Sequence, residues 1–228
     1  MTSSSLQDPQ RRRRLPAVAA LLALGLSGCA ATPTSGPESP EERLQHLLET
    51  SPTSTQELSK AVRALSLESP DAIPVLVADA ALSLETGRTE RAASLVQRVL
   101  AAQPDHVDAL LIATRISART GDLAGAHRRI DAALRLRPDR PELHEAQAAV
   151  LFVEERLSEA SAALDRADAL RGGPSWRNEY HRGLIAEGQD DLTAAARHYS
   201  RCLDLEASFE PAMNRRRWVA AQLETRTP

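Results

Sequence analysis

The side chains here best able to bind a metal or move a proton are six histidines, and their spacing suits neither task. His46, His106, His127, His144, His181 and His198 are never closer than 17 residues. Zinc-binding pairs usually sit about three to five residues apart on one element. His144-Glu145 begins like a metalloprotease helix, but Ala148 stands where the second imidazole belongs. The acidic pairs Glu41-Glu42, Glu154-Glu155 and Asp190-Asp191 fall at expected helix starts and turns, where carboxylates favour the helix N-terminus or water. Gly172-Gly173-Pro174 reads as a turn and not as a phosphate loop. No nucleophile, base and orienting group share a supporting spacing. The expectation is a protein that is not an enzyme, with no catalytic residue, no metal and no cofactor.

What the sequence does organise is a repeat. Pro70, Pro104 and Pro138 stand 34 residues apart, as do Gly87 and Gly121, Ala92, Ala126 and Ala160, and Leu123 and Leu157. Leu192 and Ala195 continue the series one residue out of step. Within 107–140, Ala109, Leu110, Ala113, Ile116 and Ser117 form one helical stripe, and Leu123, Ala126, Ile130, Ala133, Leu134 and Leu136 form a second. Gly121 suits the left-handed conformation that ends the first helix, and Pro138 stops the second. Each unit is thus a pair of short antiparallel helices whose apolar stripes are buried only when units stack.

This pattern resembles the tetratricopeptide repeat family. The resemblance lies in small residues where helices cross (Ala92, Ala126, Ala160, Ala195), a larger apolar residue four later (Val96, Ile130, Leu164, Tyr199) and a modest one three beyond (Val99, Ala133, Ala167, Cys202). The family's early aromatic is replaced by Leu76 and Leu110, and its eighth-position Gly survives only as Gly183. Units are expected at 73–106, 107–140, 141–174 and about 175–208, with a degenerate pair upstream at Pro40–Thr50 and Thr55–Leu67. The resemblance implies an all-α fold, a right-handed solenoid of antiparallel helix pairs, with about four to five repeats plus a C-terminal capping helix over Glu210–Glu224. Arg216 and Arg217 on that helix would be costly to bury, so nothing should stack beyond it.

The first helices of the family's units line a concave groove. The matching positions here are Val77, Ala81 and Leu84, then Asp108, Leu111, Arg115 and Arg119. Later units add Glu142, Glu145, Ala149 and Phe152, then Arg177, Tyr180 and Leu184. The charged clamp of the chaperone-binding branch is absent, since Val77, Leu111, Glu145 and Tyr180 fill one of its rows. The resulting trough is mostly apolar with Arg115 and Arg119 in its middle, and suits an amphipathic helix or an extended peptide carrying an acidic residue. The chain's six aromatic residues, Phe152, Trp176, Tyr180, Tyr199, Phe209 and Trp218, all follow residue 150. Aromatics dominate interface hot spots, so Phe152, Trp176 and Tyr180 join the candidate groove. The same aromatics also suit core filling, Tyr199 most clearly.

The N-terminus is a separate matter. Arg11–Arg14 precede an apolar stretch, Leu15–Gly25, which is too short to span a membrane and has the layout of a signal peptide. Paired arginines also fit twin-arginine export, but Pro16 disfavours that route. Leu26-Ser27-Gly28-Cys29 resembles the bacterial lipoprotein box, which implies acylation of Cys29 and removal of residues 1–28. Ala30 is not the Asp that retains such proteins at the inner membrane, which implies an outer-membrane address facing the periplasm where two membranes exist. Residues 29–39 then form the acylated end and a tether, and residues 40–225 the solenoid. As a flexible coil the ten residues after Cys29 would span roughly 16–19 Å.

Without residues 1–28 the chain keeps 24 basic and 30 acidic residues, a net charge of about −6. That balance argues against nucleic acid as a partner. Only Cys202 remains besides Cys29, so no intrachain disulfide is expected, and its place on an apolar stripe suits a small buried side chain. The expected function is a membrane-anchored scaffold or adaptor for a protein or peptide partner in the cell envelope. It is similar in layout to pilotin-type lipoproteins of pilus systems and to accessory lipoproteins of outer-membrane protein insertion. A regulator that docks cell-wall hydrolases or synthases is the alternative, and a cryptic hydrolase a third reading.

Overall fold

The computed structural model describes residues 39–50 and 55–226. The expected signal peptide, Cys29 and nearly all of the tether lie outside these residues. Among the described residues the chain forms eleven α-helices and no strand. They are α1 Pro40–Thr50, α2 Thr55–Glu68, α3 Ile73–Glu85, α4 Thr89–Ala102, α5 Val107–Thr120, α6 Leu123–Leu136, α7 Pro141–Val153, α8 Leu157–Arg171, α9 Trp176–Gly188, α10 Leu192–Leu205 and α11 Glu210–Arg226. By compactness the chain divides into two units, residues 1–112 and 113–228.

The first unit starts with a capping box. The Ser39 hydroxyl accepts from the Glu42 amide at 3.1 Å, and the Glu42 carboxylate accepts from the Ser39 amide at 2.8 Å, with Pro40 at the first helical position. Leu44 of α1 and Leu58, Val62 and Leu65 of α2 pack with Val75, Ala78 and Leu82 of α3. The upstream pair is therefore a true part of the core. Asp79, buried on α3, accepts from Arg91 of α4 at 2.6 Å and from Ser83 at 3.2 Å, which satisfies a carboxylate that would otherwise be costly inside.

In the second unit α7, α8 and α9 share a cluster of Ala148, Leu151, Ala160, Ala163, Leu164 and Ile185. A further cluster joins α9, α10 and α11 through Ala186, Leu192, Ala195, Tyr199, Cys202, Ala212 and Val219. The register of the repeat is visible in burial alone. Ala92, Ala126, Ala160 and Ala195 are all fully buried, as are Val99, Ala133, Ala167 and Cys202. Small residues at these crossings let helix axes approach. Gly183 is the extreme case: a Cβ there would lie 2.3 Å from the Tyr199 ring, so α9 and α10 can touch only with hydrogen at that position.

The turns repeat as well. Gly87 and Gly121 take left-handed backbone, φ 77° and 81°, and the next two units place Glu155 (φ 60°) and Asp190 (φ 61°) at the equivalent turn. Ser175 and Asp191 cap α9 and α10 by accepting from the amides of Asn178 and Ala194 at 3.1 and 2.8 Å. The last helix, α11, buries Ala212 and Val219 and exposes Arg215, Arg216 and Arg217. Arg215 reaches back to Glu187 at 3.0 Å, and Arg226 to Asp190 at 2.9 Å. Glu187 also accepts from the Tyr199 hydroxyl, so one carboxylate ties α9 to both α10 and α11.

Candidate functional site

The apolar and aromatic residues expected at the groove fall into three groups. Val77, Leu84 and Leu111 are buried, Leu111 completely, and offer no surface to a partner. The reason is local. Every residue of α3 from Val75 to Leu84 is buried, as is every residue of α5 from Ala109 to Thr114, so neither stretch keeps a wet face. Trp176 and Tyr180 form the second group. The Trp176 ring lies 4.7 Å from Phe209, and Tyr180 meets Phe209 edge-on at 5.0 Å and Tyr199 at 5.7 Å. Both are half-buried and pack against the seam between α9 and the segment leading into α11, which is structural work.

The third group frames an apolar cavity of about 180 Å³. Phe152, Val153, Ala148 and Ala149 contribute one wall from α7, and His181, Leu184 and Ile185 the other from α9, over Leu164 of α8. Ala149, Phe152 and Leu184 were expected at a groove. His181 and Ile185 were not, because they sit one residue beyond the family's groove positions. Their signal was helical spacing: Arg177, His181 and Leu184 recur at four and three residues on one face of α9.

His181 is the one ionisable side chain in the cavity wall. Burial pushes its pKa down to about 4, with the positive charges of Arg177 and Arg115 acting in the same direction. At neutral pH it is an uncharged imidazole facing an apolar space. Arg177 stacks over the Trp176 ring, 4.9 Å from its centroid. Arg119, at the end of α5, is exposed, and Arg115 is half-buried.

Behind this surface runs a chain of ion pairs. Arg171 holds Glu145 at 2.7 Å, and Arg182 holds Asp168 at 2.7 Å and Asp165 at 2.8 Å. Asn178 donates to Asp168 at 2.6 Å, and His198 meets Glu179 at 2.9 Å. Burial alone would raise the Glu179 pKa, but His198 and Arg182 outweigh it and hold the carboxyl below its ordinary value. Glu142 lies buried 3.6 Å from Arg140. These pairs fix the register of α7 to α10 and leave no carboxylate in the cavity wall. Cys202 is buried, and burial first of all pushes its thiol up to about 11, which makes it inert at neutral pH. Among the described residues no three His, Cys, Asp or Glu side chains converge as metal ligands, and no helix is long and apolar enough to cross a membrane.

Residues 83–150 match the profile of the tetratricopeptide repeat family. No curated protein matches the chain in sequence. Solved structures do match in fold. A thermophilic tetratricopeptide repeat protein of Thermus thermophilus superposes with a TM-score of 0.65 at 17% identity, covering 73% of this chain and 91% of its own. The Cut9–Hcn1 hetero-tetramer of the APC/C gives 0.67 at 14% identity, over 80% of this chain and 36% of that one. PilW, a widely conserved type IV pilus biogenesis factor, gives 0.56 at 15% identity, over 75% and 79%. At such identities the likeness establishes the fold, a stack of tetratricopeptide-type helix pairs.

Proposed function

We propose that this protein is a non-enzymatic interaction scaffold of the bacterial cell envelope, anchored by lipid on Cys29, which captures a partner segment on its second unit. The observation that carries the reading is the cavity between α7 and α9: apolar walls, a neutral imidazole and nearby arginines, built on a repeat fold. Tetratricopeptide repeats are interaction surfaces by construction, since stacked helix pairs expose long, regular faces. The N-terminal sequence supports the address, with its basic run, short apolar stretch and Leu26-Ser27-Gly28-Cys29 ending. Where two membranes exist, Ala30 after the acylated residue supports an outer-membrane position facing the periplasm. The structural likeness to PilW is compatible with a part in assembling a surface structure, and at 15% identity it is an analogy of fold.

The anchor is tested by fractionating cells that produce the Cys29→Ser protein. The variant is expected to leave the membrane fraction, whereas the parent stays there. A variant that remained with the membrane to the same extent would remove acylation from the account.

A further inference from the structure

Resting on the scaffold reading, we infer that the cavity takes a single apolar side chain of an acidic partner segment, with Arg177 holding a carboxylate beside it. The cavity, about 180 Å³, is of side-chain size, and no carboxylate lines it. Arg177 precedes His181 by four residues, so its backbone lies one helical turn, about 6 Å, along the same face of α9, and its charge reaches the His181 imidazole. The neighbouring arginines are occupied: Arg171 by Glu145, Arg182 by Asp165 and Asp168. Among the described residues Arg177 makes no ion pair, and its stacking on Trp176 steadies the guanidinium without using its N–H donors. The acids that might answer it, Glu145, Asp168 and Glu179, are held by cations or amides of their own chain.

Arg177 and Arg115 both place positive charge near His181. A basic segment entering the cavity would meet repulsion, and a neutral one would leave Arg177 without a counter-charge. A carboxylate about one turn from the buried apolar residue answers it. In a helical ligand that is a separation of about four residues, and in an extended one about two.

The probe is a fluorescein-labelled helical peptide carrying Leu and Glu four residues apart in an Ala/Gln background, titrated with the purified full chain by anisotropy. Control peptides carry Lys for Glu or Ala for Leu. The Leu–Glu peptide is expected to bind about tenfold or more tightly than either control, as a lost charge-assisted hydrogen bond or apolar contact dictates. Arg177→Glu should reverse the preference toward the Lys peptide, a gain that a misfolded variant cannot produce. Ala149→Trp, which fills the cavity from an exposed position, should abolish binding of both with circular dichroism unchanged. An unchanged charge preference in Arg177→Glu overturns the acidic partner and leaves the scaffold reading intact. Binding indifferent to Ala149→Trp, or absent for every peptide, overturns the cavity as the site. Octanoate binding in place of the peptides would mark a small amphiphile pocket and equally overturn the proposal. Failure of the scaffold reading itself shows separately, as the absence of any partner at the cavity in cells.

Discussion

His181 shows how one side chain reports on the whole site. Its folded pKa of about 4 lies below the ordinary value of 6.5. Between those values the unfolded chain binds a proton that the folded chain refuses. The contribution to stability is therefore fully present above about pH 6.5 and is lost as the pH falls toward 4, by up to about 3 kcal/mol. His181→Leu should remove this loss. Urea titrations at pH 7, 5.5 and 4.5 should show the parent losing stability relative to the variant as the pH falls. Parallel curves would mean that the imidazole is solvated. Glu179 acts in a different window, because its pKa is held below the carboxylate range and its contribution fades only at lower pH. At this scale the sequence was only partly legible. Phe152 and Leu184, groove candidates by their register, line the cavity. Val77, Leu84 and Leu111 could not be seen as buried, since register gives the face of a helix and not how many neighbours cover it. The packing of Tyr180 could not be read for a related reason: its ring partner Phe209 lies 29 residues away and is reached only through the fold.

At the scale of the element, the informative feature is the turn between the two helices of a repeat. Four equivalent turns need left-handed backbone, and only the first two have glycine. The 34-residue step made Gly87 and Gly121 legible, whereas Glu155 and Asp190 carry no local mark of the same conformation. A side chain in that conformation costs about 1–2 kcal/mol. Glu155 makes no side-chain hydrogen bond among the described residues, so Glu155→Gly should stabilise the protein by about 1 kcal/mol. Asp190 differs because its carboxylate accepts from Arg226 at 3.1 and 2.9 Å and latches α11. Asp190→Gly should therefore gain less than Glu155→Gly, or nothing. Thermal melts of the two variants side by side check this, and equal gains would show that the Arg226 latch contributes nothing. The small-residue crossings, by contrast, were fully legible, because packing of helix on helix demands them wherever the step recurs.

For the whole molecule, the repeat supplies a scaffold and the second unit supplies a surface on it. The all-helical fold was readable from periodicity because every level agreed: proline stops, glycine turns, small crossings and apolar stripes. The cavity was not, because it exists only where α7, α8 and α9 meet, and its walls combine buried residues such as Ala148, Leu164 and Ile185 with exposed ones such as Ala149 and Val153. On the proposed reading, a partner occupies that gap in the cell. The most direct measurement replaces Ala149 with photoreactive p-benzoylphenylalanine and irradiates intact cells, with Arg166, exposed on α8, as the control position. A discrete adduct of one size is expected from position 149 and none from position 166. No adduct at 149, or the same adducts from both positions, would contradict that reading.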